Sequence, residues 1–544
     1  MDWLKEDHLV YFLLDLLPTL DLGAIEQVIQ SKDRRGTRPY SARMMVGLLL
    51  YGYCVGKVSS RRLEKATYED VPIRVLCAGH HPDHCAISNF RKAHLGALGG
   101  LFHQILRLCS EAGLVQLGHV ALDGTKLKAN ASKHKANSYK GLERSEERLA
   151  AEIEDLLKQA ELADAAEDAR FGKDCTGEEL PEGLRTKGER LRRIQEAKAA
   201  LEAEAALTRA LERKSQAERS AAKAEERGEQ DVAARARAEK AAGVAEECAQ
   251  EAIKQAQHVA EEAAARAAKL RADADDAATK RAATLASKAA KTAEKALETT
   301  VEALRDRDDD DTDQGGSSEA TDAEAGEARA TELALPERRV RADADGNPAE
   351  SAQRSFTDPD SQLMKDGNGY SQAYNCQAAV DEAHQVIVAA GLTNQASDAQ
   401  HLIPMLNAVI ENCGAAPTTF TADAGYSSDE NLKHCEDVKT DAYIPSRRKT
   451  RKPEPEPEGE DAATSESKES SSSRTEAMDA KIATEEGRAK YRRRKYVGEA
   501  PFGNIKQARG FRQLLLRGIE QTRHEWSLIC AGHNLLKLFR AGTA

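Results

Sequence analysis

An α/β core, divided by a long helical insertion and preceded by an all-α segment, is what this chain predicts. Three observations predict it. Two apolar runs, at 119–123 and 418–423, each end in an acid and read as buried strands. The stretch between them, 141–335, is dominated by Ala, Glu, Lys and Arg with almost no Pro, a composition that favours helix throughout. Residues 1–118 carry apolar side chains at helical spacing. A chain of 544 residues has room for about three or four domains.

Composition narrows the classes. Aromatics make up only 4%, charged residues 31%, and the mean hydropathy is −0.62, values poor for one large core but normal for globular parts joined to long polar helices. No apolar run reaches the roughly eighteen residues of a membrane span, so no membrane partner is expected. Met1 to Asp7 lacks a basic region followed by an apolar one, so export by signal peptide is not expected. Ten cysteines without a framework suit a reducing, cytoplasmic setting. The net charge of −12 argues against nucleic acid only until it is counted by segment.

Taken in order, 1–118 predicts a helical domain. Ser41 is a candidate N-cap for the apolar helix through Tyr53, and Ser59 and Ser60 precede a second. A third runs from Ser88 to Cys109 with Asn89, Arg91 and Lys92 at its start. Basic residues at a helix start suit a helix-turn-helix contact with DNA, and a plain bundle with solvated charges suits the same pattern. Residues 119–140 form the first part of the core, and 141–340 a coiled-coil-like insertion ending in the acidic run Asp308 to Asp311 and Gly315-Gly316-Ser317-Ser318. Residues 341–450 are the second part of the core. They hold a strand pair at 370–380 and 385–392, a helix near 398–412, a strand at 418–423, a helix at 428–438 and a short strand at 440–445. The Pro-, Glu- and Ser-rich stretch 451–482 reads as disordered linker. Residues 483–544 complete the core. Within 490–540 there are twelve Lys and Arg against three Glu, a net of +9.

Three carboxylates stand out by position. Asp123 ends Val120-Ala121-Leu122, Asp423 ends Phe420-Thr421-Ala422, and Glu499 sits two residues before Pro501, which a first helical turn tolerates. Acids from two strands and a helix can converge at the carboxyl end of a sheet. Hard cations such as Mg²⁺ prefer oxygen ligands, and a pair of ions roughly 3.5–4 Å apart clamps both oxygens of a phosphodiester displacement. Taken singly, each acid reads better as an ordinary strand-end or helix-end residue.

Several motifs add to this reading: Leu122-Asp123-Gly124-Thr125-Lys126 with Ala129-Asn130-Ala131, Thr421-Ala422-Asp423-Ala424-Gly425-Tyr426, and Tyr491 to Arg494 with Glu499-Ala500-Pro501-Phe502-Gly503-Asn504-Ile505-Lys506. Beside them stand Tyr51-Gly52-Tyr53, His81-Pro82-Asp83-His84, Thr357-Asp358, Tyr374-Asn375-Cys376-Gln377, Gly510-Phe511-Arg512 and Glu525-Trp526. In combination the chain resembles the DDE transposases of the insertion-sequence 1182 family, within the wider group named after insertion sequences 4 and 5. The resemblance implies an α/β RNase-H-like catalytic core with an N-terminal all-α domain that binds element ends. It implies two Mg²⁺ ions, with Mn²⁺ able to substitute, and cleavage and strand transfer of the element's DNA ends. DNA and further copies of the chain would be the partners, at the nucleoid of a prokaryotic cytoplasm. Asp123, Asp423 and Glu499 match the acidic, metal-holding triad. Tyr491, Arg494 and Lys506 match the Tyr-Arg-Glu-Lys signature and would contact DNA phosphate. The group usually has three residues between Arg and Glu, whereas four separate Arg494 from Glu499. Either Lys495 takes the arginine's role or the helix is offset.

Other features read differently. The cluster Cys77, His80, His81, His84 and Cys85 offers zinc-type ligands at a spacing that matches no paired-knuckle pattern. Asn394 and Asp398 stand near a strand end, either approaching the site or capping a helix. Two rival functions are a non-catalytic coiled-coil DNA-binding scaffold and a metal-dependent nuclease that cuts without joining.

Overall fold

The computed structural model describes residues 4–31, 39–133, 136–152, 190–205, 208, 209, 212, 215, 333–343, 347–366, 369–446 and 466–542. The chain divides into two units. The first holds 1–135, 328–338 and 357–544; the second holds 136–327 and 339–356.

The first unit is built on a six-stranded mixed sheet. Its centre is β1 (His119–Lys128), whose first four residues are fully buried. On one side β1 pairs antiparallel with β5 (Gly369–Asp381), Asp123 opposite Ala378 and Gly124 opposite Gln377. The far edge of β5 carries β4 (Gln362–Asp366) and β6 (Ile387–Thr393), both antiparallel. On its other side β1 pairs in parallel with β7 (Thr419–Thr421), and β7 in parallel with β8 (Asp441–Tyr443). The near-continuous burial of β5, β6 and β7 fits strands covered on both faces. The strand pair expected at 370–392 and the strand expected at 418–423 are β5–β6 and β7, and the helix expected near 398 runs Leu402–Cys413.

Among the described residues seven α-helices precede β1: α1 (Leu9–Leu16), α2 (Gly23–Gln30), α3 (Ala42–Val55), α4 (Ser60–Glu69), α5 (Val71–Leu76), α6 (His84–Ala93) and α7 (Leu95–Glu111). They share one hydrophobic core with the sheet and with the C-terminal helix Ile519–Gly542, which packs on α3, α7 and β6. The expected third helix from Ser88 to Cys109 is two helices broken at His94. Ser41 stands at the N-cap of α3 and Ser59 at that of α4, neither with a side-chain capping bond. Arg91, read as a DNA contact, is buried; its Nη2 donates to the Val58 carbonyl at 2.6 Å and its guanidinium lies 5.9 Å from the Tyr53 ring centroid. A cation buried in the core and bonded to a core carbonyl is not offered to phosphate, so Arg91 drops out of the helix-turn-helix reading.

The second unit pairs β2 (Ala136–Ser138) antiparallel with β3 (Gln353–Ser355). Helical residues 139–152 and 190–205 bury Leu142, Leu149, Ile194, Ala197, Leu201 and Ala205 in a small core with Val340 and Ala352. The stripe Ile194, Ala197, Leu201, Ala205 is the helical spacing read for 191–201. Most of the coiled-coil-like insertion, including the acidic run, lies outside the described residues. Residues 466–482, within the stretch read from composition as linker, lie in a helix, Glu466–Ala483, whose Lys481 bonds the Ala442 carbonyl at 3.0 Å and Asp441 at 2.6 Å.

Candidate active site

The register of β1 against β7 sets the first two acids. Val120 pairs with Phe420 and Ala121 with Thr421, so Asp123 and Asp423 each lie two residues beyond the last parallel pair, Asp123 midway along β1 and Asp423 just past the carboxyl end of β7. That end of an α/β sheet is where ligands bind. Asp423 leaves its strand into the turn Ala424–Tyr426, and its Oδ1 accepts the Gly425 N–H at 2.7 Å. Asp123 Oδ1 accepts the Gly124 N–H at 2.9 Å.

The helix Glu485–Arg494 brings the third acid. Thr484 caps it, accepting from the Gly487 N–H, and Glu485 and Glu486 occupy its first turn. It runs on through a π-turn, Lys495–Glu499, one α-turn, Ala500–Gly503, and a second π-turn, Asn504–Ala508. An α-helix advances about 100° per residue, so a side chain five positions on would lie about 140° round the axis. The wider i→i+5 turn brings positions five apart back toward one face. The four residues between Arg494 and Glu499 are thus accommodated by the π-turn, and Arg494, not Lys495, faces the acids. Lys495 is exposed.

The first π-turn packs on β1, and Gly498 makes the close approach possible. A methyl group at position 498 would stand 3.2 Å from Asp123 Cβ and 3.5 Å from its Oδ2. Arg494 Nη1 lies 3.6 Å from Asp123 Oδ2, with the two side chains 14% and 15% exposed. Its guanidinium sits 5.7 Å from the Tyr491 ring centroid, and among the described residues its buried Nε has no hydrogen-bond partner. Glu499 is exposed at the end of this turn. Lys506, on the second π-turn, donates from Nζ to the Lys126 carbonyl of β1 at 3.0 Å.

Charge is concentrated here. Burial pushes the Asp123 carboxyl up to about 6, and the Asp423 and Glu499 carboxylates add to the rise, while Arg494 and the Gly124 N–H oppose it. Burial also raises the Tyr491 phenol, with Arg494 opposing and Asp423 and Asp123 reinforcing the rise.

A second polar layer adjoins the acids. Asp398 Oδ1 accepts from Asn375 Nδ2 at 2.6 Å, Gln377 Nε2 at 2.9 Å and Lys126 Nζ at 3.4 Å. Asp398 therefore approaches the site and does not cap a helix. Asn394 instead ties loops together, accepting from the Arg338 N–H and donating to the Asp360 carbonyl. The individual roles of Gly498, Gln377 and Tyr426 escape a reading of the sequence. A glycine inside a helix is the one local signal among them.

The remaining candidates fall elsewhere. His81 Nδ1 is bonded to Thr67 Oγ1 and His84 Nδ1 to Glu64 Oε2, while Cys77 is buried and Cys85 exposed, so the cysteines and histidines of that cluster do not form a zinc site. Asp358 and Asp360 accept the Gly518 and Ile519 N–H groups at the start of the C-terminal helix, and Glu525 accepts those of Leu515 and Leu516. These acids, Asp358 and Glu525 buried and Asp360 partly exposed, order the C-terminal segment. Arg509 is buried, and its Nη1 donates to the Tyr53 and Ile529 carbonyls. Arg492, Arg493, Lys495, Arg512 and Arg517 keep exposed positions within the basic segment.

Among the described residues no three His, Cys, Asp or Glu side chains are gathered into a closed metal cage. The carboxylates of Asp123 and Asp423 nonetheless fit a hard cation. Mg²⁺ takes one or two carboxylates and fills its other positions with water and substrate oxygens. An Asp123 carboxyl pushed up by burial and by two neighbouring carboxylates is a charge imbalance that a cation relieves.

A mixed sheet in the order β6-β5-β1-β7-β8, antiparallel on one side of β1 and parallel on the other, with acids just beyond the parallel β1–β7 pairing, is consistent with an RNase-H-like core of the DDE type. Residues 429–539 match the Transposase DDE domain, and residues 1–93 match the Transposase domain (DUF772). The first match takes in Tyr491, Arg494, Glu499 and Lys506 and begins six residues after Asp423. A DDE domain implies a catalytic transposase, and a transposase implies DNA binding. No curated protein and no solved structure matches the chain. Among the described residues no helix is long and apolar enough to cross a membrane.

Proposed function

We propose that the chain is a DNA transposase of the insertion-sequence 1182 type, which cleaves the ends of its element and joins them to target DNA. Asp123, Asp423 and Glu499 are its metal-holding triad. The observation that carries this reading is the placement of Asp123 and Asp423 at matching positions, each two residues beyond the last parallel pair of β1 and β7, with the Glu499 turn seated on Asp123 through Gly498.

Two Mg²⁺ ions held by the triad would supply Lewis acidity to the attacking and leaving oxygens of a phosphodiester. The chain's own residues do the rest. Arg494, anchored by Asp123 and the Tyr491 ring, presents a cation for a phosphate oxygen next to the acids. Lys506 holds the signature helix to β1 through the Lys126 carbonyl. Exposed Arg492, Arg493 and Lys495 track the backbone of the bound DNA, so binding weakens steeply with salt. Asp123 serves as a metal ligand in its ionised form, which is favoured above pH about 6.

The test is a gel assay with labelled element ends, target plasmid and Mg²⁺. Cleaved ends joined to plasmid are expected, and Glu499→Gln should bind ends without cutting them. Cleavage without joined product would favour a nuclease. Cleavage by Glu499→Gln at the wild-type rate would remove Glu499 from the triad.

A further inference from the structure

We propose that Gln377 is a positioning residue whose carboxamide ties the Asp423 turn and the Asp398 loop to the backbone beside Asp123, and so fixes the spacing of the acid pair. The inference rests on the metal-site reading above.

Gln377 lies on β5 opposite Gly124, the residue after Asp123, and is fully buried. A methyl group at position 124 would come within 2.5 Å of Gln377 Nε2, so the carboxamide lies flat on a glycine that leaves room for it. Its Oε1 accepts the hydroxyl of Tyr426, the last residue of the turn that begins at Asp423. Its Nε2 donates to Asp398 Oδ1 at 2.9 Å and to Asn375 Oδ1 at 3.0 Å. An amide has two N–H donors, and both are used; a carboxylate only accepts, so the amide cannot flip without opposing Asp398 with its own oxygen. The main chain at this position is fixed as well, since Trp526 Nε1 donates to the Gln377 carbonyl at 3.0 Å.

Asp398 and Asp423 flank one residue. A methyl group at Gly425 would stand 2.7 Å from Asp423 Oδ1 and 3.4 Å from Asp398 Oδ2. Gln377 therefore touches the residue after the first acid, the turn that follows the second and the loop of a fourth carboxylate. Partners behind metal ligands set ligand orientation, and losing one typically weakens metal binding about 10–100-fold.

The experiment follows Mn²⁺ binding to the full chain, without DNA, by the rise in melting temperature as Mn²⁺ is titrated. Tyr426→Phe removes one hydroxyl and leaves the ring; Gln377→Leu removes the carboxamide. Each is expected to raise the half-saturating Mn²⁺ concentration about tenfold or more. The double variant is expected to be no weaker than Gln377→Leu, because both single changes break one connection. Tyr426→Phe keeps the test valid if Gln377→Leu fails to fold. Wild-type half-saturation in Tyr426→Phe, or a lowered metal-free melting temperature with an unmoved Mn²⁺ midpoint, overturns the inference and leaves the metal site standing. A wild-type chain whose melting ignores Mn²⁺ overturns the metal-site reading and the inference with it.

Discussion

Replacing Asp123 by Asn should stabilise the protein near neutral pH while removing its catalysis. The Asp123 carboxyl rises from 3.8 to about 6 on folding, chiefly through burial. Ionising it in the folded chain therefore opposes folding. About two pKa units at 1.36 kcal/mol each give at most about 3 kcal/mol. The side chain is only 15% exposed, so solvent screens little of this. A folded pKa above the unfolded one contributes stability that is fully present below about pH 3.8 and lost as pH rises through about 6. Asn carries no charge at any pH, so it escapes that loss. Melting temperatures of wild type and Asp123→Asn, measured with a chelator from about pH 4 to pH 8, should differ little at the acid end. They should separate by several degrees above pH about 6, with the variant higher. Equal separation across the range, or a less stable variant at the alkaline end, would show that burial does not strain this carboxylate.

Three further outcomes follow. Gly498→Ala gains about 1 kcal/mol of helix propensity but sets a methyl 3.2 Å from Asp123 Cβ; cleavage should fall at least about tenfold with melting little changed, as rate and melting curves on one preparation will show. Arg494→Lys cannot make bidentate contacts, so end cleavage should drop about ten- to a hundredfold in single-turnover assays with the helix intact by circular dichroism; wild-type rates would remove Arg494 from the site. Burial lowers His533 to about 3 and His401 to about 4. Folded pKa values below the unfolded 6.5 give stability that is present above pH 6.5 and lost as pH falls toward 4 and then 3, so His533→Gln should flatten the acid limb of the melting curve.

What the sequence discloses here is what periodicity and strand-end position can carry. Asp123 and Asp423 follow short apolar runs, and those runs are adjacent parallel strands. The division of the sheet by an insertion was legible because 141–335 changes composition so sharply. Arg91 leaves two readings open in the sequence because a basic residue near a helix start looks the same whether its partners are phosphates or the Val58 carbonyl. The four-residue gap before Glu499 looked like a misfit because helical periodicity assumes an α-turn, and a π-turn changes which positions share a face. Gln377 gave no signal of its own: its importance comes from Gly124, Asp398 and Tyr426, which only the folded sheet brings around it. Helix 466–483 was hidden by a Ser- and Glu-rich composition that its ties to Asp441 and Ala442 override.

The central claim is that Asp123, Asp423 and Glu499 form one metal site. The most direct measurement is a crystal structure of the full chain soaked in Mn²⁺, with anomalous differences collected at the manganese edge. The account predicts a peak bridged by carboxylate oxygens of Asp123 and Asp423, with Glu499 at it or at a second peak about 3.5–4 Å away. Manganese bound elsewhere, with these three carboxylates carrying no anomalous density, would contradict it.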